Sequence, residues 1–87
     1  MVSNFSNVIS VIDTIQDKRL LEDFLVGITT AKERDELAKR LEVIKRLLDG
    51  QPQHKIADDL GVGVATVTRG SKELSDGRFK VLRRENA

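Results

Sequence analysis

The sequence predicts a small all-α domain that carries a helix-turn-helix head, and three observations predict it. Apolar residues recur at helical spacing through most of the chain up to residue 60. Pro52, the only proline, and the glycines at 50 and 61 stand where helices end or begin rather than inside them. The one β-branched stretch, Gly61 to Leu74 (GVGVATVTRGSKEL), alternates like a strand but finds no partner strand anywhere in the chain. An unpaired strand is not stable alone, so this stretch is read as helix.

The elements follow in order. Phe5, Val8, Ile9, Ile12 and Ile15 mark a first amphipathic helix. After the polar break at Gln16–Asp17, Leu20, Leu21, Phe24 and Leu25 mark a second, with Gly27 expected to end it. Thr30 and Glu33 form a capping box that opens a third helix, Ala31 to Asp49, roughly 28 Å long at about 1.5 Å per residue. Leu37, Leu41, Ile44 and Leu48 give it an apolar stripe, widened by Val43 and Leu47, that needs a second chain to be fully covered. Gly50 fits the left-handed residue after its last turn. Pro52 suits the first turn of a short helix, Gln53 to Leu60, with Ile56, Ala57 and Leu60 on one side.

Gly61 then permits a sharp turn into a last helix, Val64 to Leu74. In that register Val64, Val67, Gly70, Ser71 and Leu74 share a face, and Val67 and Leu74 can pack on Ile56, Ala57 and Leu60. Two short helices joined by a glycine turn at this spacing make a helix-turn-helix, although such pairs also occur as plain packing units.

Composition bounds the function. An 87-residue chain makes one marginal domain, and with no cysteine and one histidine it has neither disulfides nor a thiolate metal site to stabilise it. Oligomerisation is the remaining means. No apolar run approaches membrane-spanning length, and MVSNFSNVIS lacks the pattern of a secretory signal, so a soluble cytoplasmic protein with no membrane partner is expected. The 15 basic and 14 acidic residues nearly cancel. Towards the end Arg69, Lys72, Arg78, Lys80, Arg83 and Arg84 face only Glu73, Asp76 and Glu85, which permits an anionic partner. No nucleophile–base pair, phosphate-cradling loop or metal cluster is visible, so an enzyme is not expected.

The outward face of the last helix suits a DNA major groove. Thr66 and Thr68 can hydrogen-bond either base type, Ala65 and the threonine methyls can touch thymine, and Arg69 can reach guanine or phosphate, with Lys72 beside it. Gly63, Val64 and Ala65 leave the helix N-terminus slim enough to approach base edges. His54 and Lys55, at the start of the preceding helix, lie where that helix meets the sugar-phosphate backbone.

Two segments resemble the Trp repressor family: GVGVATVTRGS (Gly61 to Ser71) is similar to its turn and recognition helix, and TAKERDELAKRLEVIKRLLDG (Thr30 to Gly50) to its long helix. The resemblance implies an intertwined homodimer whose heads read two half-sites about one DNA turn apart. It also implies L-tryptophan as corepressor rather than a cofactor. On that resemblance Arg40 and Arg69 flank the indole, Arg69 also binds the ligand carboxylate, and Thr30 helps from the other subunit. Carbonyls around Gly27 and Thr29 accept from the ammonium, and Ile44 and Gly70 line the pocket. Planar cations stacking on an indole face, and arginine pairing a carboxylate, make chemical sense of the arrangement.

This chain departs from the family pattern at Glu73, where some members have a serine; a carboxylate there can pair a ligand ammonium or fill the pocket. Lys72 replaces a usual asparagine, the stretch between Gly50 and Gly61 is one residue shorter, and SDGRFKVLRRENA is a short end. The chain is thus divided into a helical dimerisation core (1–50), a helix-turn-helix head (51–74) and a short basic segment (75–87). The expected function is a tryptophan-responsive, DNA-binding transcriptional repressor. Its alternatives are the same DNA-binding dimer with another effector or none, and a helical dimer that binds protein partners.

Overall fold

The computed structural model describes residues 4–83; Met1 to Ser3, and the charges of Arg84 and Glu85, lie outside them. Six helices and no strand occur among the described residues: α1 (Phe5–Thr14), α2 (Lys18–Ile28), α3 (Ala31–Leu48), α4 (Gln53–Leu60), α5 (Val64–Ser75) and α6 (Lys80–Arg83). The chain divides into two compact units, one up to Arg34 and one from Asp35, and the division falls within α3.

In the first unit, polar caps fix where the helices start. The Asn4 side chain accepts from the Ser6 N–H at 2.9 Å and that of Asp17 from the Arg19 N–H at 2.9 Å, satisfying donors that a helix N-terminus leaves free. The capping box forms in both directions: the Glu33 N–H donates to Thr30 Oγ1 at 3.1 Å, and the Thr30 N–H to Glu33 Oε1 at 2.8 Å. Gly27 does not end α2, which runs one residue further to Ile28 with Thr29 as its cap. The reason is that the terminal carbonyls are satisfied without a left-handed glycine. The Thr29 hydroxyl donates to Leu25 O at 2.5 Å, and Arg34 Nη1 donates to Val26 O at 3.0 Å and Thr29 O at 2.8 Å. No residue of α1 or α2 is buried, and Phe5, Ile9, Leu20 and Ile28 are at least half exposed in the single chain.

The second unit holds the core. Val43, Ile56, Ala57 and Val67 are buried together, with Leu47, Leu60 and Val62 packed against them. Val43 and Leu47, at i and i+4 on α3, face this core. Leu37 and Leu41 of the predicted stripe remain exposed at 51% and 44%. Gly50 and Gly61 take the left-handed conformation, at φ 82° and 65°. At Gly61 the Val62 N–H bonds back to Ala57 O at 3.1 Å, closing α4 and turning the chain sharply into α5. Pro52 sits one position before the first turn of α4, as its N-cap.

Two expectations about α5 are corrected. Val64, the first residue of α5, is 56% exposed rather than part of the packed face, and Val62 in the turn before it packs against the core instead. Leu74 is half-buried outside the core cluster, which Val67 alone joins from α5. The C-terminal segment also contains an unexpected turn of helix, α6. Arg83 ties it back by donating to Leu74 O and, at 3.1 Å, to Arg78 O.

Candidate functional site

The packing of α4 on α5 sets the orientation of the outward face of α5. No side chain caps the first turn of either helix, because Pro52 and Gly63 occupy the N-cap positions. Those N-termini therefore present backbone N–H groups and a positive dipole end to an anion. His54, Lys55, Gly63, Val64, Ala65, Thr68, Arg69 and Lys72 are all exposed, whereas Thr66 is half-buried.

Several of these side chains are held. The Thr68 hydroxyl donates to Gln53 Oε1 at 3.0 Å, linking the outward faces of α5 and α4. Lys55 pairs with Asp59 at 2.8 Å and Lys72 with Asp76 at 3.3 Å. Asp59 also receives Arg46 Nη1 at 3.3 Å, and Arg46 in turn reaches Glu42 at 3.1 Å, so this cluster pins α4 to α3. The hydrogen bond from Lys55, helped by the charge of Arg46, holds the Asp59 carboxyl below its ordinary value. Arg69 makes no ion pair or hydrogen bond among the described residues and is available to a ligand.

Behind the outward face lies a cavity of about 230 Å³, lined by Arg40 and Val43 of α3, Thr66, Arg69, Gly70 and Glu73 of α5, and Phe79. That is below the roughly 300–1,000 Å³ typical of sites for drug-sized molecules, and it suits a ligand of amino-acid size. Two guanidinium groups, one carboxylate and one aromatic ring among its walls match the chemistry of a zwitterion with an apolar side chain.

Four of the residues expected around a ligand, Arg40, Arg69, Gly70 and Glu73, come together here. Ile44 does not line the cavity. It is buried beneath Gly70, where an added Cβ would stand 2.9 Å from Ile44 Cδ1, and Val43 faces the cavity instead. Gly70 therefore has a packing role as well, since it lets α5 cross α3 closely. Gly27, Thr29 and Thr30 belong to the first unit, where the Thr29 carbonyl already accepts from Arg34 and the Thr30 hydroxyl caps α3.

Phe79 was not apparent as a wall of the site. It is the one described non-glycine residue with positive φ, at 65°, and follows Gly77 at φ 91° in the turn after α5. Strained backbone of this kind concentrates at functional sites. The only signal in the sequence is Gly77 two residues earlier. Arg78, between them, places Nε 3.4 Å from Glu73 Oε2.

The family described as "Trp repressor protein" matches residues 3–85. The chain is 36% identical over 72 residues to a "Trp operon repressor homolog" of Vibrio campbellii (strain ATCC BAA-1116), covering 82% of this chain and 72% of that one. It is 38% identical over 72 residues to one of Vibrio atlanticus (strain LGP32), covering 82% and 74%, and 38% over 73 residues to one of Aliivibrio fischeri (strain MJ11), covering 83% and 68%. No solved structure gives a significant match. With a helix-turn-helix, an arginine-walled cavity beside it and a family match over nearly the whole sequence, the chain is a Trp repressor-type regulator and belongs to the Trp repressor family.

Proposed function

We propose that this protein is a homodimeric repressor that binds operator DNA through α4 and α5 when L-tryptophan occupies the cavity. The observation that carries the reading is that one helix, α5, has both an exposed outward face, uncapped at its N-terminus, and a wall of the amino-acid-sized cavity, with the exposed Arg69 common to outward face and cavity. A ligand bridging Arg40 on α3 and Arg69 on α5 biases the angle between those helices, and with it the pose of the head. It shifts the population only as far as it binds the DNA-competent pose more tightly than the others.

The dimer is supported by what the single chain leaves bare. Phe5, Ile9, Leu20 and Ile28 of the first unit and Leu37 and Leu41 of α3 are large apolar side chains left exposed in the single chain, which a second copy can cover. Pairing two chains puts two heads on one duplex, one turn apart. A second reading keeps the DNA-binding dimer but gives it another effector or none; the Glu73–Arg78 ion pair in the cavity wall is what favours it.

Direct titration separates the two readings. The chain contains no tryptophan and no tyrosine, so added L-tryptophan is the sole indole fluorophore. Saturable binding that is lost in Arg40→Ala and Arg69→Ala supports the corepressor reading. No binding at millimolar protein favours the second reading.

A further inference from the structure

Phe79 holds a costly backbone conformation that the packing of the core does not explain. At φ 65° its Cβ crowds the following carbonyl oxygen, whereas a glycine would take the same conformation freely. The side chain is half-buried, yet among the described residues it belongs neither to the core cluster nor to the side chains packed against it. Its ring is instead a wall of the cavity, the one aromatic side chain there beside Val43, Arg40 and Arg69.

The conformation is held from outside the residue. The φ and ψ angles of Phe79 set how the two peptide planes on either side of it meet, and Arg83 grips both planes. Its Nε donates to Arg78 O at 3.1 Å, on the plane before Phe79. Its backbone N–H donates to Phe79 O at 3.2 Å, on the plane after. Arg83 Nη2 also donates to Leu74 O, which anchors the turn to α5, the helix that supplies most of the cavity wall. On the other side Gly77, at φ 91°, and the Arg78 N–H, bonded to Glu73 O at 3.0 Å, close α5 and lead the chain into Phe79. A left-handed residue fixed by so many partners, with its side chain in a cavity, has the character of a ligand clamp.

We propose that Phe79 contacts the aromatic side chain of the bound ligand, and that Arg83 is the positioning residue that keeps its ring in the cavity wall. This rests on the corepressor reading and gives the segment after α5 a part in the site. Ring–ring contact adds attraction beyond the apolar area it buries, which accounts for a phenylalanine where the backbone favours glycine.

The test combines proton NMR of the full chain in complex with L-tryptophan and indole fluorescence titration. The chain has three phenylalanines, Phe5, Phe24 and Phe79, and no tryptophan or tyrosine, so the ring protons can be assigned by substitution. Nuclear Overhauser contacts between the indole and the Phe79 ring are expected in the wild-type complex. Phe79→Gly suits the left-handed backbone while removing the ring, and should weaken L-tryptophan at least about 5-fold. Arg83→Ala should weaken it about 2- to 10-fold, yet cost nothing further on the Phe79→Gly background, because Arg83 acts through the ring. Far-UV circular dichroism checks that each variant is folded. Absence of indole–Phe79 contacts in a wild-type complex, or affinity within twofold of wild type in a folded Phe79→Gly, overturns the proposal and leaves the corepressor reading standing. An equal cost of Arg83→Ala with and without the ring overturns the positioning role. No binding of L-tryptophan to the wild type overturns both readings.

Discussion

The crossing of α3 and α5 at Gly70 gives a stability effect whose sign can be worked out from distances. In Gly70→Ala, helix propensity gains about 1 kcal/mol, because glycine is the costliest ordinary residue in a helix interior. Against this, the new Cβ stands 2.9 Å from Ile44 Cδ1, 3.4 Å from Val43 Cγ1 and 3.5 Å from Leu47 Cδ1. Carbon atoms meet comfortably at about 3.5–4.0 Å, so only the Ile44 contact is severe. Ile44 is 3% exposed and has no solvent to swing into, and overpacking of this kind costs about 1–3 kcal/mol. The net expectation is a loss of about 0–2 kcal/mol.

Removing the offending atom should reverse the sign. Ile44→Val alone costs about 0.5–1.5 kcal/mol through its lost methyl group. Introduced on that background, Gly70→Ala keeps its propensity gain, loses the clash and partly fills the space left by Cδ1. The double-mutant cycle should therefore show a favourable coupling of at least about 1 kcal/mol. Urea denaturation of the four proteins without ligand measures it. Protein concentration is held fixed, because the stability of a dimer depends on it. Strict additivity, with Gly70→Ala equally costly on both backgrounds, would refute the close-crossing account.

Other expectations concern the caps and the ion cluster. Thr30→Ala removes one arm of the capping box and should destabilise the chain by about 1 kcal/mol in the same urea assay. The Asp59 carboxyl is held below its ordinary value of 3.8, so the stability it contributes is complete above that pH and is lost as pH falls through the folded value. Wild type and Asp59→Asn should accordingly differ at neutral pH and converge in acid when unfolding is followed across pH. Lys55→Ala should weaken binding to duplexes of any sequence and flatten the salt dependence of affinity by about one unit of log–log slope, as one lost phosphate contact does. An unchanged slope would remove Lys55 from the DNA-facing set.

Where local chemistry decides the backbone, the sequence is legible. Thr30 with Glu33, Gly50, Gly61 and the span of α4 each follow from a cap, a left-handed turn or a short apolar face. The departures arise where a distant group does the deciding. Gly27 resembles a helix terminator, but Arg34 and Thr29 satisfy the last carbonyls of α2 and the helix continues. Val43 and Ile44 are adjacent on α3, and apolar periodicity cannot tell which of them faces the cavity and which lies beneath Gly70. The four-residue α6 is too short to show any periodicity. Phe79 could not be placed for a different reason: phenylalanine carries no signal for the left-handed conformation, which depends on the turn that Gly77 and Arg83 build around it.

Coupling between the cavity and the outward face of α5 is tested most directly by selecting binders from a pool of random-sequence duplexes at fixed salt, with and without L-tryptophan. Enrichment of a two-fold-symmetric site with half-sites about one helical turn apart, appearing only with L-tryptophan and lost in Arg69→Ala, is the expected result. Equal enrichment with and without the amino acid would contradict tryptophan control, and no enrichment under either condition would contradict sequence-specific DNA binding itself.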